Sequence, residues 1–142
     1  MVRKLDERVS VAPQIAAEDV DSLARSGFTT IVNNRPDGES GDQPDGDSIA
    51  DAARAAGLSY HAIPVTQAGI GPDQVAAMAA VLKYAPGPVL AFCRSGTRST
   101  NLWALASASL GEDADRLIAD ARAAGYDIGG LDLTLRLLAK KA

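Results

Sequence analysis

Cys93, the one cysteine in the chain, opens the stretch Cys93-Arg94-Ser95-Gly96-Thr97-Arg98-Ser99. A cysteine works as a nucleophile through its thiolate, and cationic surroundings favour that form. The apolar run Pro88 to Phe92 before it fits a strand buried on both faces. Asn101 to Leu110 after it carries apolar residues at helical spacing. The loop between them can turn its N–H groups toward one point, because Gly96 permits backbone angles closed to other residues. A helix N-terminus with arginines on either side favours a thiolate and also binds anions. Arg98 offers a fork of donors to an anion held above the sulfur. Cys93 and Arg98 are therefore the candidate catalytic pair. Arg94, Ser95, Gly96, Thr97 and Ser99 are candidate substrate-binding positions, with the backbone amides from Arg94 to Ser99 as the cradle. Ser99 or Thr100 is expected to donate to the thiolate or to cap the helix.

Strands and helices alternate around this loop. Arg8 to Ala12, Phe28 to Asn33, Leu58 to Val65 and the run ending at Phe92 read as strands. Glu18 to Arg25, Ser48 to Ala56, Pro72 to Tyr84, Ala114 to Ala124 and Leu131 to Lys140 read as helices, with Asp47 or Ser48 as cap of the second. The alternation predicts a three-layer α/β sandwich with a mainly parallel sheet of four to five strands flanked by helices. In such sheets ligands bind beyond the carboxyl ends of the strands. Three loops lie at that edge: Asn34 to Asp47, Thr66 to Gly71, and Cys93 to Arg98. Arg35, Asp37 and Gln67 are thereby expected neighbours of Cys93, with Arg35 either a substrate contact or a structural residue that pairs with Asp37 or Glu39.

At 142 residues the chain is expected to form a single domain, residues 1–142, with a core that needs no disulfide. A net charge of −4 argues against nucleic acid and against an anionic membrane surface as partner. One cysteine excludes an internal disulfide, and one cysteine with one histidine excludes zinc-finger spacing. No metal or other cofactor is expected. The charges at Arg3, Lys4, Asp6, Glu7 and Arg8 have no apolar core behind them, unlike a signal peptide, so a cytoplasmic location is expected.

Other chemistry-bearing residues have simpler readings. His61 lies within a strand and is expected to be structural. Asp37, Glu39, Asp42, Asp45 and Asp47 lack the spacing of a calcium loop and read as a solvated loop. Trp103 reads as core. Leu131, Leu133, Leu135, Leu137 and Leu138 read as one apolar helix face, packed into the core or, alternatively, forming a dimer surface.

With four residues between Cys93 and Arg98, the loop resembles that of rhodaneses, which carry sulfur as a cysteine persulfide. Cysteine phosphatases resemble it too, but place five residues before the arginine, where this chain has Ser99. As a whole the chain is similar to the phosphatase-like domain of β-lactamase-hydrolase-like proteins, a sulfurtransferase/phosphatase family. The resemblance rests on Val11-Ala12-Pro13-Gln14-Ile15, Asn34-Arg35-Pro36-Asp37-Gly38-Glu39, Tyr60-His61-Ala62-Ile63-Pro64-Val65, the cysteine loop, and Ala124-Gly125-Tyr126-Asp127. It implies a dual-specificity-phosphatase-like fold. In some relatives such a domain is fused to a sulfur-dioxygenase-like domain, which implies a role in sulfide or persulfide handling.

A phosphatase of this fold keeps an aspartate general acid after the Ile-Pro-Val strand. Here that segment is Thr66-Gln67-Ala68-Gly69-Ile70, with no acid. Asp73 suits a helix start, and Asp37 is the remaining candidate acid. Phe92 stands where phosphatase motifs tend to have histidine. The sequence is therefore read as a sulfurtransferase that forms a persulfide on Cys93 and passes sulfane sulfur from a small anionic donor, thiosulfate or a thiol persulfide, to a thiol acceptor. The alternatives are a cysteine-dependent phosphatase with a phosphocysteine intermediate, and a non-catalytic persulfide carrier for a sulfur dioxygenase partner.

Overall fold

The strand that ends beside the cysteine is the middle one of a five-stranded sheet. A computed structural model describes residues 1–142. In chain order the strands are β1 (Arg3–Lys4), β2 (Val9–Ala12), β3 (Thr30–Asn33), β4 (Ser59–Ala62) and β5 (Val89–Phe92), and they lie in the order β1-β2-β5-β3-β4. β2, β5, β3 and β4 run parallel, and β1 pairs antiparallel with β2. The helices are α1 (Val20–Arg25), α2 (Gly46–Ala55), α3 (Pro72–Tyr84), α4 (Thr97–Ser109), α5 (Ala114–Ala123) and α6 (Asp132–Lys141). Short 3-10 turns at Ala17–Asp19 and Gly129–Leu131 lead into α1 and α6.

The period-two pleat of β5 sorts its side chains between two cores. Leu90 and Phe92 join Ile31, Val20, Leu23, Ile49 and Ala53 in the layer of α1 and α2. Val89 and Ala91 join Val9, Val11, Val32, Met78, Leu102, Trp103, Leu117 and Leu135 in the layer of α3 to α6. A strand covered on both faces must be apolar throughout, which is why this run lacks the alternation of a one-sided strand. The anticipated three-layer architecture is the one observed.

Three local readings are corrected. β1 was not anticipated, since two residues carry no periodic signal; pairing with Val11 and Ser10 makes it a strand. α2 begins at Gly46, two residues before the expected start, with Asp45 preceding it. The Asp37 side chain accepts from the Gly46 N–H at 2.9 Å and so meets an otherwise unpaired amide of the first turn. In α6 the core face is narrower than expected. Leu135 is fully buried and Leu131 and Leu138 pack around the core, but Leu133 and Leu137 are 71% and 51% exposed. Residues 131, 135 and 138 follow helical spacing, and 133 and 137 fall on the other side. No helix is long and apolar enough to cross a membrane.

Candidate active site

Cys93 directly follows β5, and α4 begins only four residues later, at Thr97. The loop proper is thus Cys93 to Gly96, tighter than the expected Cys93 to Arg98, and Arg98 and Ser99 sit in the first turn of α4. Gly96 makes this sharp reversal at φ +93°, in the left-handed region that glycine enters without steric cost. Its N–H donates to Cys93 Sγ at 3.0 Å. The sulfur is buried on the loop's inner side, facing the N-terminal end of a thirteen-residue helix.

The loop is held from three directions. Cys93 N–H donates to Ala12 O of β2 at 3.4 Å. The Tyr126 hydroxyl donates to Ser95 O at 3.1 Å from the segment after α5. The Thr100 hydroxyl donates to Gly96 O at 2.8 Å. Ser99, expected to face the thiolate or cap the helix, is instead buried and donates to Asn34 Oδ1 at 2.8 Å. Asn34 Nδ2 in turn donates to Ile63 O at 2.8 Å. One asparagine therefore joins the end of β3, the segment after β4 and the first turn of α4. Ser95 Oγ donates to Thr97 Oγ1 at 3.1 Å, so these two hydroxyls pair at the exposed lip of the loop.

Arg98 is fixed more firmly than the sequence suggested. Nη1 donates to Glu39 Oε2 and to Val65 O, both at 2.7 Å, and Nη2 donates to Glu39 Oε1 at 2.9 Å. These bonds occupy the outer edge of the guanidinium. Its remaining N–H groups, on the Nε side, are left for an anion. Arg98 is raised above its ordinary pKa, first by the Glu39 hydrogen bonds and further by the nearby Cys93 sulfur. Glu39 is lowered to about 2, chiefly by the hydrogen bond from Arg98, with burial opposing and Arg35 assisting.

Arg35, the candidate substrate contact, is buried and acts as a strut behind Glu39. Its Nε donates to Glu39 Oε1 at 3.0 Å, Nη1 to Gln14 Oε1 at 3.1 Å and Nη2 to Ser40 Oγ at 3.2 Å. Asp37, the candidate acid, is engaged with the Gly46 amide. His61 lies on the exposed edge strand β4, as a structural reading expects. Trp103 is fully buried in the core, as expected, and its Nε1 donates to Asp6 Oδ2 at 3.2 Å.

In front of the loop lies a polar cleft of about 510 Å³, lined by Glu39, Thr66, Gln67, Arg94 and Arg98. The cleft brings together Gln67, Arg94 and Arg98 with Glu39 and Thr66. Cys93 is fully buried and hydrogen-bonded by the Gly96 amide, and neither Arg35 nor Asp37 lines the cleft. Asn34 and Tyr126 were not singled out from sequence, and Glu39 was expected only as a pairing partner of Arg35, a pair the structure shows at 3.0 Å; its bonds to Arg98 were not foreseen. The signal for Glu39 was its place, four residues beyond Arg35 in a loop at the binding edge. No His, Cys, Asp and Glu side chains gather in a metal-binding group. The arrangement suits attack by sulfur on a small anion that is held by amides and one guanidinium.

Residues 1–110 match the family model described as the phosphatase-like domain of beta-lactamase hydrolase-like protein. A beta-lactamase hydrolase-like protein of Xylella fastidiosa is 36% identical over 126 residues, 88% of this chain. The chain spans only 29% of that relative's length. A Neisseria meningitidis protein, crystallised as a candidate phosphatase, superposes with a TM-score of 0.80 at 36% identity, covering 96% of both chains. PTPMT1 superposes with a TM-score of 0.76 at 12% identity, over 99% of this chain and 95% of its own, and so shares the fold. The fold is that of the dual-specificity and tyrosine phosphatases. The chain belongs to the phosphatase-like domain family of beta-lactamase hydrolase-like proteins.

Proposed function

We propose that this phosphatase-like domain acts through Cys93 as a sulfurtransferase. One observation carries the reading: the cleft holds no carboxyl able to give up a proton. Its only carboxylate, Glu39, is locked by two arginines and held near a pKa of 2. Hydrolysis of an unactivated phosphate ester needs an acid for the leaving oxygen, whereas sulfane transfer releases a group that is already a stable anion. Gly96 N–H is directed at the sulfur and Thr97 N–H at Ser95 Oγ, 3.4 Å away.

In the proposed first step, the Cys93 thiolate attacks the outer sulfur of thiosulfate. An S–S bond forms to Cys93, the S–S bond of the donor breaks, and sulfite leaves with the electron pair. The persulfide anion rests against the Gly96 amide and the Arg98 guanidinium. An acceptor thiolate then attacks the outer sulfur, which gives a new persulfide and restores the Cys93 thiolate. Arg94 and Arg98 orient the anionic donor, and Glu39 acts as a positioning residue that turns the open edge of Arg98 toward the sulfur. A sulfur dioxygenase is the partner proposed to consume the persulfide product.

The fold comparisons favour a second reading, phosphate-ester hydrolysis through a phosphocysteine, since the structural relatives include phosphatases. That chemistry needs Asp37 to leave Gly46, or Asp73 in the first turn of α3, to supply the acid. A third reading, a carrier that only presents persulfide, predicts one loading event without turnover. The test is a pair of assays on one preparation, thiosulfate-to-cyanide sulfur transfer and aryl-phosphate hydrolysis, each beside Cys93→Ser. Multiple turnovers of sulfur transfer lost in Cys93→Ser, with negligible phosphate release, are expected. Cys93-dependent phosphate release without sulfur transfer would overturn the proposal.

A further inference from the structure

The polar cleft beside the cysteine loop adjoins a second cavity of different character. This groove, of about 720 Å³, runs between α3, α4 and α6 under the loop that follows β4. Ile70 and Val75 form one wall, Leu105 the floor, and Leu131 and Leu138 the far wall. Its volume is in the range of pockets that take drug-sized molecules. Arg98 is its only charged side chain, and it stands at the end that meets the polar cleft. Thr66 and Arg98 line both spaces, so the two adjoin across these side chains. The polar cleft has no apolar lining residue at all. The charge and apolar surface are thus split between two adjoining compartments, with a guanidinium at the boundary.

We propose that the groove is the tail subsite for the substrate of the Cys93 loop, and that the substrate is an amphiphile with a compact anionic head and an unbranched aliphatic chain. The head occupies the polar cleft beside Arg98 and the chain lies along Ile70, Val75, Leu105, Leu131 and Leu138. A protein surface seated in the groove would not account for an arginine shared with the cysteine cleft, whereas a single molecule spanning both does. The proposal rests on the reading of that cleft as an anion site, but not on which chemistry Cys93 performs there.

Alkanesulfonates test it without any reaction, since their head is a stable anion and their chain can be lengthened. Binding of butane-, hexane- and octanesulfonate to the native chain is measured by calorimetry. Each added methylene is expected to tighten Kd by about two- to fourfold, as burial of a methylene predicts. Arg98→Gln is expected to weaken every member of the series by a similar factor. Ala76→Phe on α3 and Thr134→Trp on α6, placed on facing walls, are each expected to flatten the dependence on chain length. Two substitutions on different helices guard against one of them misfolding. Affinity independent of chain length overturns the proposal and leaves the groove to a protein surface. A dependence on chain length that survives both wall substitutions also overturns it, by placing the tail elsewhere. Failure of sulfur transfer in the paired assays would leave these binding results intact.

Discussion

Arg98 shows how one distant carboxylate can decide what a residue does. An unrestrained guanidinium above Cys93 would sample many poses, and each would cost side-chain entropy when substrate binds. Glu39 and Val65 O remove that freedom beforehand. Glu39 also adds negative charge to a cleft that must receive an anion, so its contribution lies in orientation and not in attraction. Glu39→Gln is therefore expected to lower kcat about tenfold or more while leaving KM for thiosulfate unchanged or lower. A variant that was merely less stable would not split the two constants in this way, and Glu39→Asp, which keeps the charge, should recover part of kcat. The pH dependence follows from sign. Glu39 is depressed from 4.5 to about 2 in the folded chain, so its stabilising contribution is complete above 4.5 and is lost as pH falls toward 2. The gap in unfolding midpoint between native chain and Glu39→Gln should stay constant from pH 7 to 5 and close below pH 4.5. A gap that closes between pH 7 and 5 would mean the carboxylate is not held as described. The pairing of Glu39 with Arg35, four positions away, was legible in the sequence, but its pairing with Arg98 was not, because the two lie 59 positions apart and only the fold brings them together.

At the scale of elements, the strand, loop and helix around Cys93 were legible because each has a local cause. β5 is apolar throughout, Gly96 makes the turn, and α4 carries helical periodicity. What was not legible is how the loop is braced, since Asn34 and Tyr126 come from other elements and carry no mark of it in sequence. The brace explains why position 96 must be glycine for two separate reasons. A Cβ there would lie 2.3 Å from the Tyr126 hydroxyl oxygen, and the backbone is left-handed at φ +93°. Gly96→Ala is expected to destabilise the chain by about 1–3 kcal/mol, from left-handed strain plus overlap, and to abolish turnover. Tyr126→Phe removes the clashing oxygen along with the bond to Ser95 O and alone should cost about 1 kcal/mol. The double variant should then be more stable than the sum of the two single effects, since the closest overlap is gone and only the strain and a tight 3.1 Å contact with the ring Cζ remain. Denaturant midpoints of the four proteins measure this, and strict additivity would mean that Tyr126 does not press on the loop.

Over the whole molecule, the family match ends at residue 110, yet the fold does not. Leu117 and Ala121 of α5 and Leu135 of α6 are fully buried in the same core as Val9, Val11 and Trp103. The N-terminal turn is tied to this end of the chain by charge as well as by packing. Asp6 accepts from the Trp103 indole and from the amides of Arg8 and Val9, Arg8 pairs with Glu112, and Arg116 pairs with Glu112 and Asp120. Tyr126, which presses on the cysteine loop, also lies past residue 110. These helices therefore do two things, closing the second core and bracing the site, and the two should fail together. Leu135→Ala is expected to cost about 2–5 kcal/mol while leaving a folded chain with native turnover at low temperature. A chain ending at Gly111 loses one wall of the larger core and exposes the Leu102, Trp103 and Leu105 faces of α4. It is expected to lack a cooperative thermal transition and to bind no octanesulfonate. A truncated chain that unfolds cooperatively would show that the first 110 residues are self-sufficient and that α5 and α6 are only a covering. Loss of the transition with Leu135→Ala still active places the two C-terminal helices inside the functional unit, as the shared core requires.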